Sequence, residues 1–225
     1  MRTLAIGDIH GCSRALNALL ELVQPQADDT IVTLGDYVDR GPDTLGVLDR
    51  LLALRKQCRL IALRGNHEQM MLDARAAGHP DRDWLESGGD ATLRSYAILG
   101  DAGKLVDVPD IHWDFLERTP LYHEIETHFF VHASVFPEVP LDEQPDVMML
   151  WEKFDDPAPH VSGKIMVCGH TPQKNGLPRV LDHAVCIDTW AHGKTGWLSC
   201  LDVANGRLWQ ANQKMEKREL WLSDL

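Results

Sequence analysis

The alternation of the first 75 residues constrains this chain most. Apolar, strand-like runs at 3–7, 30–34 and 59–63 are separated by stretches with helical spacing. Over 13–23, Leu16, Leu19, Leu20 and Val23 fall on one helical face, with Ser13 placed as an N-cap. Over 44–55, Leu45, Leu48, Leu51 and Leu52 repeat the pattern, and Pro42 stands near the start. A third helix is expected over 68–77. Strands joined by helical crossovers pair in parallel, so the fold class is α/β. The 225 residues suffice to bury roughly 70% of the unfolded surface, so folding needs neither disulfides nor a structural metal. No apolar run approaches the ~20 residues of a spanning helix, which predicts no membrane partner.

The remainder changes character twice. Residues 81–117 read as mostly helical, interrupted at Gly88-Gly89 and Val108-Pro109, with Asp90 capping a helix over 91–99. After Pro120 the pattern turns to strands at 121–125, 129–132, 165–168, 185–187, 197–202 and 207–210. Residues 137–159 are acidic and Pro-rich, which predicts a surface loop. The expected architecture is an α/β sandwich with a helical insertion, a single domain over 1–225. Residues 1–6 carry one basic side chain and no cleavage-site pattern, so no signal peptide is expected. Five cysteines, an odd number without C-x-x-C spacing, fit free thiols and a cytoplasmic location.

Chemistry gathers where the predicted strands end. These ends read Gly7-Asp8-Ile9-His10-Gly11, Gly35-Asp36-Tyr37-Val38-Asp39-Arg40-Gly41, Arg64-Gly65-Asn66-His67-Glu68, Val131-His132 and Cys168-Gly169-His170. Ligands of open α/β sheets bind beyond such ends. Carboxylate and amide oxygens mixed with imidazole suit Mn, Fe, Zn, Co or Ni. The expected assignment places Asp8, His10 and Asp36 on one divalent ion, and Asp36, Asn66, His132 and His170 on a second, with Asp36 as the bridge. Two such ions and two carboxylates leave a local surplus of positive charge, although the whole chain carries −12. That surplus matches a phosphate dianion. The overall acidity argues against nucleic acid, whose binding depends on excess Lys and Arg.

Two metals can stabilise both the entering and leaving oxygens of a phosphoryl displacement. His67, next to Asn66 but facing another way, is the candidate general acid, with Asp39 holding its imidazole. Arg40 is placed to grip phosphoryl oxygens. Arg64 and Glu68 are expected to orient ligands.

With GDxHG, GDxVDRG and GNHE present in order, the sequence resembles the phosphoprotein phosphatase superfamily of calcineurin-like metallophosphoesterases. It is most similar to the bacterial and phage serine/threonine phosphatase branch. Glu68-Gln69-Met70, Trp84-Leu85, Leu150-Trp151 and Cys186-Ile187-Asp188-Thr189 extend the likeness over nearly the whole chain. The resemblance implies a metallophosphoesterase-type αββα sandwich. It also implies two divalent ions, often manganese, and direct attack of a metal-bound hydroxide on a phosphorylated protein or small phosphoester. Substrate contacts are then expected from Arg40, Asn66 and Lys153. Two departures stand out. Lys153 occupies a position that the branch usually fills with Arg, and Trp190 one that it usually fills with Gly, so the indole is expected to narrow the groove. His192 lies in the same departing loop. A symmetrical dinucleoside tetraphosphatase is the rival reading; that family commonly lacks the aspartate seen here as Asp39 and has GNHD for GNHE. A phosphate-binding module without turnover is a third, disfavoured by the full set of ligand and acid residues.

Overall fold

The computed structural model describes residues 1–97 and 103–225. The opening alternation appears as β1 (Thr3–Ile6), α1 (Ser13–Val23), β2 (Thr30–Thr33), α2 (Thr44–Leu54), β3 (Arg59–Ala62) and α3 (Asn66–Ala77). β1 pairs with β2 and β2 with β3, both in parallel. Ser13 does not cap α1; Cys12 takes that position, and the Ser13 hydroxyl donates to Asp43 instead. Asp43 in turn caps α2 by accepting from the Gly46 N–H at 3.0 Å.

The insertion comprises α4 (Arg82–Trp84), a π turn over Leu85–Gly89, α5 (Asp90–Ser95), a 3-10 turn at Leu105–Asp107 and α6 (Asp110–Glu117). Asp90 is the first residue of α5 rather than its cap, because the chain kinks at Gly88 (φ 116°) and Gly89, already helical at φ −60° and ψ −26°, takes the position before it. α5 stops at Ser95, with the backbone of Tyr96 leaving the helix at φ −99° and ψ 2°, so the helix is shorter than the expected 91–99; residues 98 and 99 lie outside the described residues. β4 (Tyr122–Glu124), β5 (His128–Val131), α7 (Asp146–Trp151), β6 (Ile165–Cys168), β7 (Arg179–Leu181), β8 (Ala184–Cys186), β9 (Leu198–Asp202), β10 (Arg207–Ala211) and β11 (Lys217–Trp221) follow.

The strands form two mixed sheets, β11-β10-β9-β1-β2-β3 and β4-β5-β6-β8-β7. Side-chain alternation along a strand sorts the core into layers. Leu4 and Ile6 of β1 pack on the helical side with Leu16, Leu48 and Met71. Ala5 points the other way and joins Phe130, Val167 and Val185 between the sheets. Phe129 and Val131 face outward again and are covered by Leu141, Met149 and Phe154. Residues 137–159 are therefore not simply a surface loop: they include a 3-10 turn and α7, and their apolar side chains roof the second sheet. This layered arrangement is the αββα sandwich with a helical insertion.

Candidate metal centre

The first turn of α3 locks two strand-end loops together. Glu68, fully buried, accepts N–H bonds from Asp36 (2.7 Å), Tyr37 (2.7 Å), Val38 (3.2 Å) and Gly65 (2.9 Å). The loops touch so closely that a side chain on Gly35, at φ 99°, would meet the Gly65 nitrogen at 2.5 Å. Glu68 thus aims Asp36, as expected of it. Arg64 does not take part: its guanidinium donates to Gln69 of α3 and, at the end of α6, to the Glu117 carbonyl and the Thr119 hydroxyl.

Asp36 divides its carboxylate between two groups. Oδ2 lies 3.4 Å from His10 Nε2 and 3.9 Å from His67 Nε2, while Oδ1 lies 3.5 Å from His132 Nε2. The ligating atoms of His10, Asp36 and His67 fall within 4.8 Å of one another, as do those of Asp36, His132 and His170. Asn66 Oδ1 joins the second group, 3.0 Å from His132 Nε2 and 3.1 Å from His170 Nδ1. Asn66 and His67 therefore leave adjacent positions of α3 toward opposite oxygens of one carboxylate. Asp8 is not among the atoms that converge within 4.8 Å in either group; it stands beside them, with its carboxylate accepting the His170 backbone N–H at 3.0 Å.

The ring nitrogens show what this arrangement can hold. His10 Nδ1–H donates to the Val38 carbonyl (2.9 Å), His132 Nδ1–H to Leu34 (2.8 Å) and His170 Nε2–H to Trp151 (3.1 Å). Each ring then turns a lone pair inward. His132 Nε2, His170 Nδ1 and Asn66 Oδ1 crowd within 3.1 Å, with no proton among the three lone pairs. A cation relieves that crowding, and the carbonyl partners fix the ring orientations a metal requires. The donor set fits divalent ions and leaves their identity open.

Electrostatics follow the same division. Burial pushes the Asp36 pKa up, but His132, His67, His10 and His170 outweigh it and hold the carboxylate far below its usual range. Burial lowers the pKa of His10 and His132, and takes His170 down to about 4 with the help of His132. Burial raises the Asp8 carboxyl, and the charges of Asp188 and Asp36 add to the shift. His67 goes the other way: burial opposes its charged form, yet Asp36 and the Asp39 hydrogen bond raise its pKa.

His67 Nδ1 stands 2.6 Å from Asp39 Oδ2. Asp39 also accepts from Trp84 Nε1 (2.9 Å) and Thr92 Oγ1 (2.7 Å). Nothing in the sequence points to Thr92, and Trp84 enters there only through a family likeness; neither has a chemical signature in isolation. Arg40 is exposed, and its Nη1 donates to His10 Nε2 at 2.7 Å. Lys153 is exposed two residues beyond Trp151. Trp190 adopts φ 65° and folds its indole onto Gly193 of its own loop. His10, Asp36, Asp39, Arg40 and His170 also have positive φ, a concentration of strained backbone typical of functional sites.

Comparison with known proteins bears on this geometry. The family described as Metallophos, calcineurin-like phosphoesterase, matches residues 1–196. The chain is 48% identical over 197 residues to serine/threonine-protein phosphatase 1 of Salmonella typhimurium, covering 83% of this chain and 85% of the relative. It is 35% identical over 141 residues to a symmetrical bis(5'-nucleosyl)-tetraphosphatase of a Janthinobacterium species, covering 61% of this chain and 45% of the relative. Among solved structures, a cold-active protein-tyrosine phosphatase of a Shewanella species aligns with a TM-score of 0.66 at 19% identity, over 97% of this chain and 80% of that one. A protein serine/threonine phosphatase from Saccharomyces cerevisiae aligns with a TM-score of 0.62 at 15% identity, over 90% and 73%. At such identities these two structures speak for the fold alone.

Proposed function

The chain belongs to the calcineurin-like phosphoesterases, and from that premise we propose that it is a metal-dependent phosphomonoesterase of the serine/threonine protein phosphatase type. The observation that carries the reading is the divided Asp36 carboxylate, one oxygen toward His10 and His67 and the other toward His132. Asp8, His10 and Asp36 would hold one divalent ion, and Asp36, Asn66, His132 and His170 the other, with manganese the first choice and Fe, Zn, Co or Ni as alternatives. Ions so held neutralise phosphoryl charge and lower the pKa of water toward neutrality.

The chain's own side chains supply the rest. His67, with its Nδ1–H donated to Asp39, presents Nε2 to the Asp36 carboxylate and can carry a proton to the leaving oxygen. Arg40 is the guanidinium at the lone-pair cluster, and its fork suits two phosphoryl oxygens. The Asn66 amide nitrogen is available to substrate while its oxygen faces the histidines, and exposed Lys153 adds a flanking charge. Residues 1–225 would act as one domain, in the cytoplasm, on a phosphorylated protein or small phosphoester and without nucleic acid or membrane.

The similarity to Salmonella serine/threonine-protein phosphatase 1 supports this reading over its rival. The symmetrical tetraphosphatase relatives keep that rival in play, although the present chain spans less than half the length of the Janthinobacterium protein. The His67–Asp39 pair favours the monoesterase, since an alkoxide needs protonation and a departing nucleotide phosphate does not. The test is a panel of phosphoserine, phosphothreonine and phosphotyrosine peptides beside Ap4A, with Mn²⁺ and other divalent ions. Turnover of the phosphoserine or phosphothreonine peptides is expected; cleavage of Ap4A alone would transfer the assignment to the tetraphosphatases.

A further inference from the structure

The loop after β8 contains a polar atom that none of these roles uses. His192 Nδ1 is buried and has no hydrogen-bond partner among the described residues. Such an atom is costly in a folded protein unless something pairs with it in the working state. Its ring stands edge-on to His10, with centroids 4.9 Å apart and planes at 89°. His10 makes a matching edge contact with His67 at 4.7 Å, and its Nε2 accepts from Arg40. His192 therefore stands against the same group as the candidate acid and the guanidinium.

The loop is built to hold the ring there. The Trp190 N–H donates to Asp188 Oδ1 at 3.0 Å, the Gly193 N–H to the Trp190 carbonyl at 2.7 Å and the Trp197 N–H to the Thr189 carbonyl at 2.9 Å. The indole of Trp190 lies so close over Gly193 that a Cβ there would meet ring carbons at 2.2–2.6 Å. His192 is thereby fixed between a folded-back tryptophan and a closed turn. Its nitrogens do not fall within either group of converging ligand atoms, so a substrate oxygen is a better partner for it than a metal.

We propose that His192 is a substrate-contacting residue whose Nδ1–H donates to an oxygen of the phosphate bound beside Arg40 and His10. The assignment rests on the phosphoesterase reading above and adds a further side-chain donor from an element outside the three signature loops. It also gives the departing loop a purpose, since Trp190 then sets the position of His192 instead of closing the groove.

The test is calorimetric titration of inorganic phosphate into the manganese-loaded protein, with metal content measured on every sample. His192→Ala and His192→Phe should each raise the Kd about tenfold, the usual scale for losing one hydrogen bond to a charged group. His192→Asn, whose amide N–H can stand where Nδ1–H stood, should remain within about threefold of wild type. The phenylalanine variant keeps an aromatic edge against His10 and carries the test if the alanine variant does not fold. Unchanged affinity in both apolar variants, an asparagine variant as weak as phenylalanine, loss of metal in step with phosphate, or no phosphate binding by wild type would each overturn the assignment. A wild type that binds phosphate through His192 but hydrolyses no phosphomonoester ends the activity reading and leaves this one standing. Turnover with phosphate affinity indifferent to His192 does the reverse.

Discussion

Asp36 is surrounded by four imidazoles, and its charge rather than its shape is what they share. Asp36→Asn preserves the bond that the His67 N–H donates to Oδ1 at 3.2 Å but removes the anion. Metal content measured after dialysis should fall from about two ions per chain to fewer than one; retention of both would break the bridging role. His67 has a separate role with a separate signature. His67→Asn should slow hydrolysis of alkyl phosphates by ~10²–10⁴-fold and that of aryl phosphates much less, because a phenolate leaves unaided. Equal losses would remove the acid role. The pH profile should report the same residue. The His67 pKa is raised because Asp36 and Asp39 outweigh burial, so activity that needs its proton is present at low pH and falls as pH rises through that value. Asp39→Asn takes away one of the two anions and should move this alkaline limb to lower pH. A limb that stays in place would assign it to another group.

Individual elements show what was legible in the sequence and what was not. β1 to α2 could be read because the first two short apolar runs are each followed by leucines at helical spacing, and β3 and α3 continue the alternation with a third apolar run and a Met-Met-Leu and alanine stretch. β7 and β11 could not: β11 (KRELW) alternates exposed and half-buried charges on a sheet edge, where burial gives little signal. α7 was hidden by the prolines and acids around it, although Met149 and Leu150 are buried. At the site, residue types were legible but backbone was not. Nothing in the letters of Asp39 or Arg40 announces φ 70° and 65°, or tells that Asp8 would turn to the His170 N–H. The join between β1, α1 and β2 offers a stability test of the same kind. Asp29, buried just before β2, accepts from the backbone N–H groups of Arg2 (2.9 Å) and Gln26 (2.8 Å) and pairs with the Arg2 guanidinium. Burial alone would raise its pKa, but the Arg2 side chain and these N–H bonds bring it down to about 2. A depressed carboxyl stabilises the fold above its unfolded value of ~3.9 and loses that contribution as pH falls through the folded value. Relative to Asp29→Asn, wild type should therefore be about 2 kcal/mol more stable at pH 7, a gap that narrows between pH 4 and 2 in urea denaturation. A gap independent of pH would show that the charge of Asp29 contributes nothing.

Across the whole molecule, the candidate centre is also a junction. Asp8, His10 and Asp36 hang from the loops after β1 and β2 of one sheet and Asn66 opens α3 after β3, whereas His132 and His170 follow β5 and β6 of the other. The inter-sheet core of Ala5, Val32, Phe130 and Val167 brings these loop clusters to one edge, and burial of the ligands forces uncompensated lone pairs together there. Bound cations would therefore tie the two sheets to each other as well as serve chemistry. A ligand that binds only the folded state stabilises it by mass action, about 2.7 kcal/mol at a free concentration 100 times its Kd. For a chain of this size each kcal/mol shifts the melting temperature by about 2–4 °C. The manganese-loaded protein should accordingly melt ~5–10 °C above the same protein stripped with a chelator, and Asp36→Asn should abolish most of that difference. A wild type whose melting temperature ignores manganese would mean that the sheets are held by their apolar core alone and that these histidines face one another for some reason other than a metal.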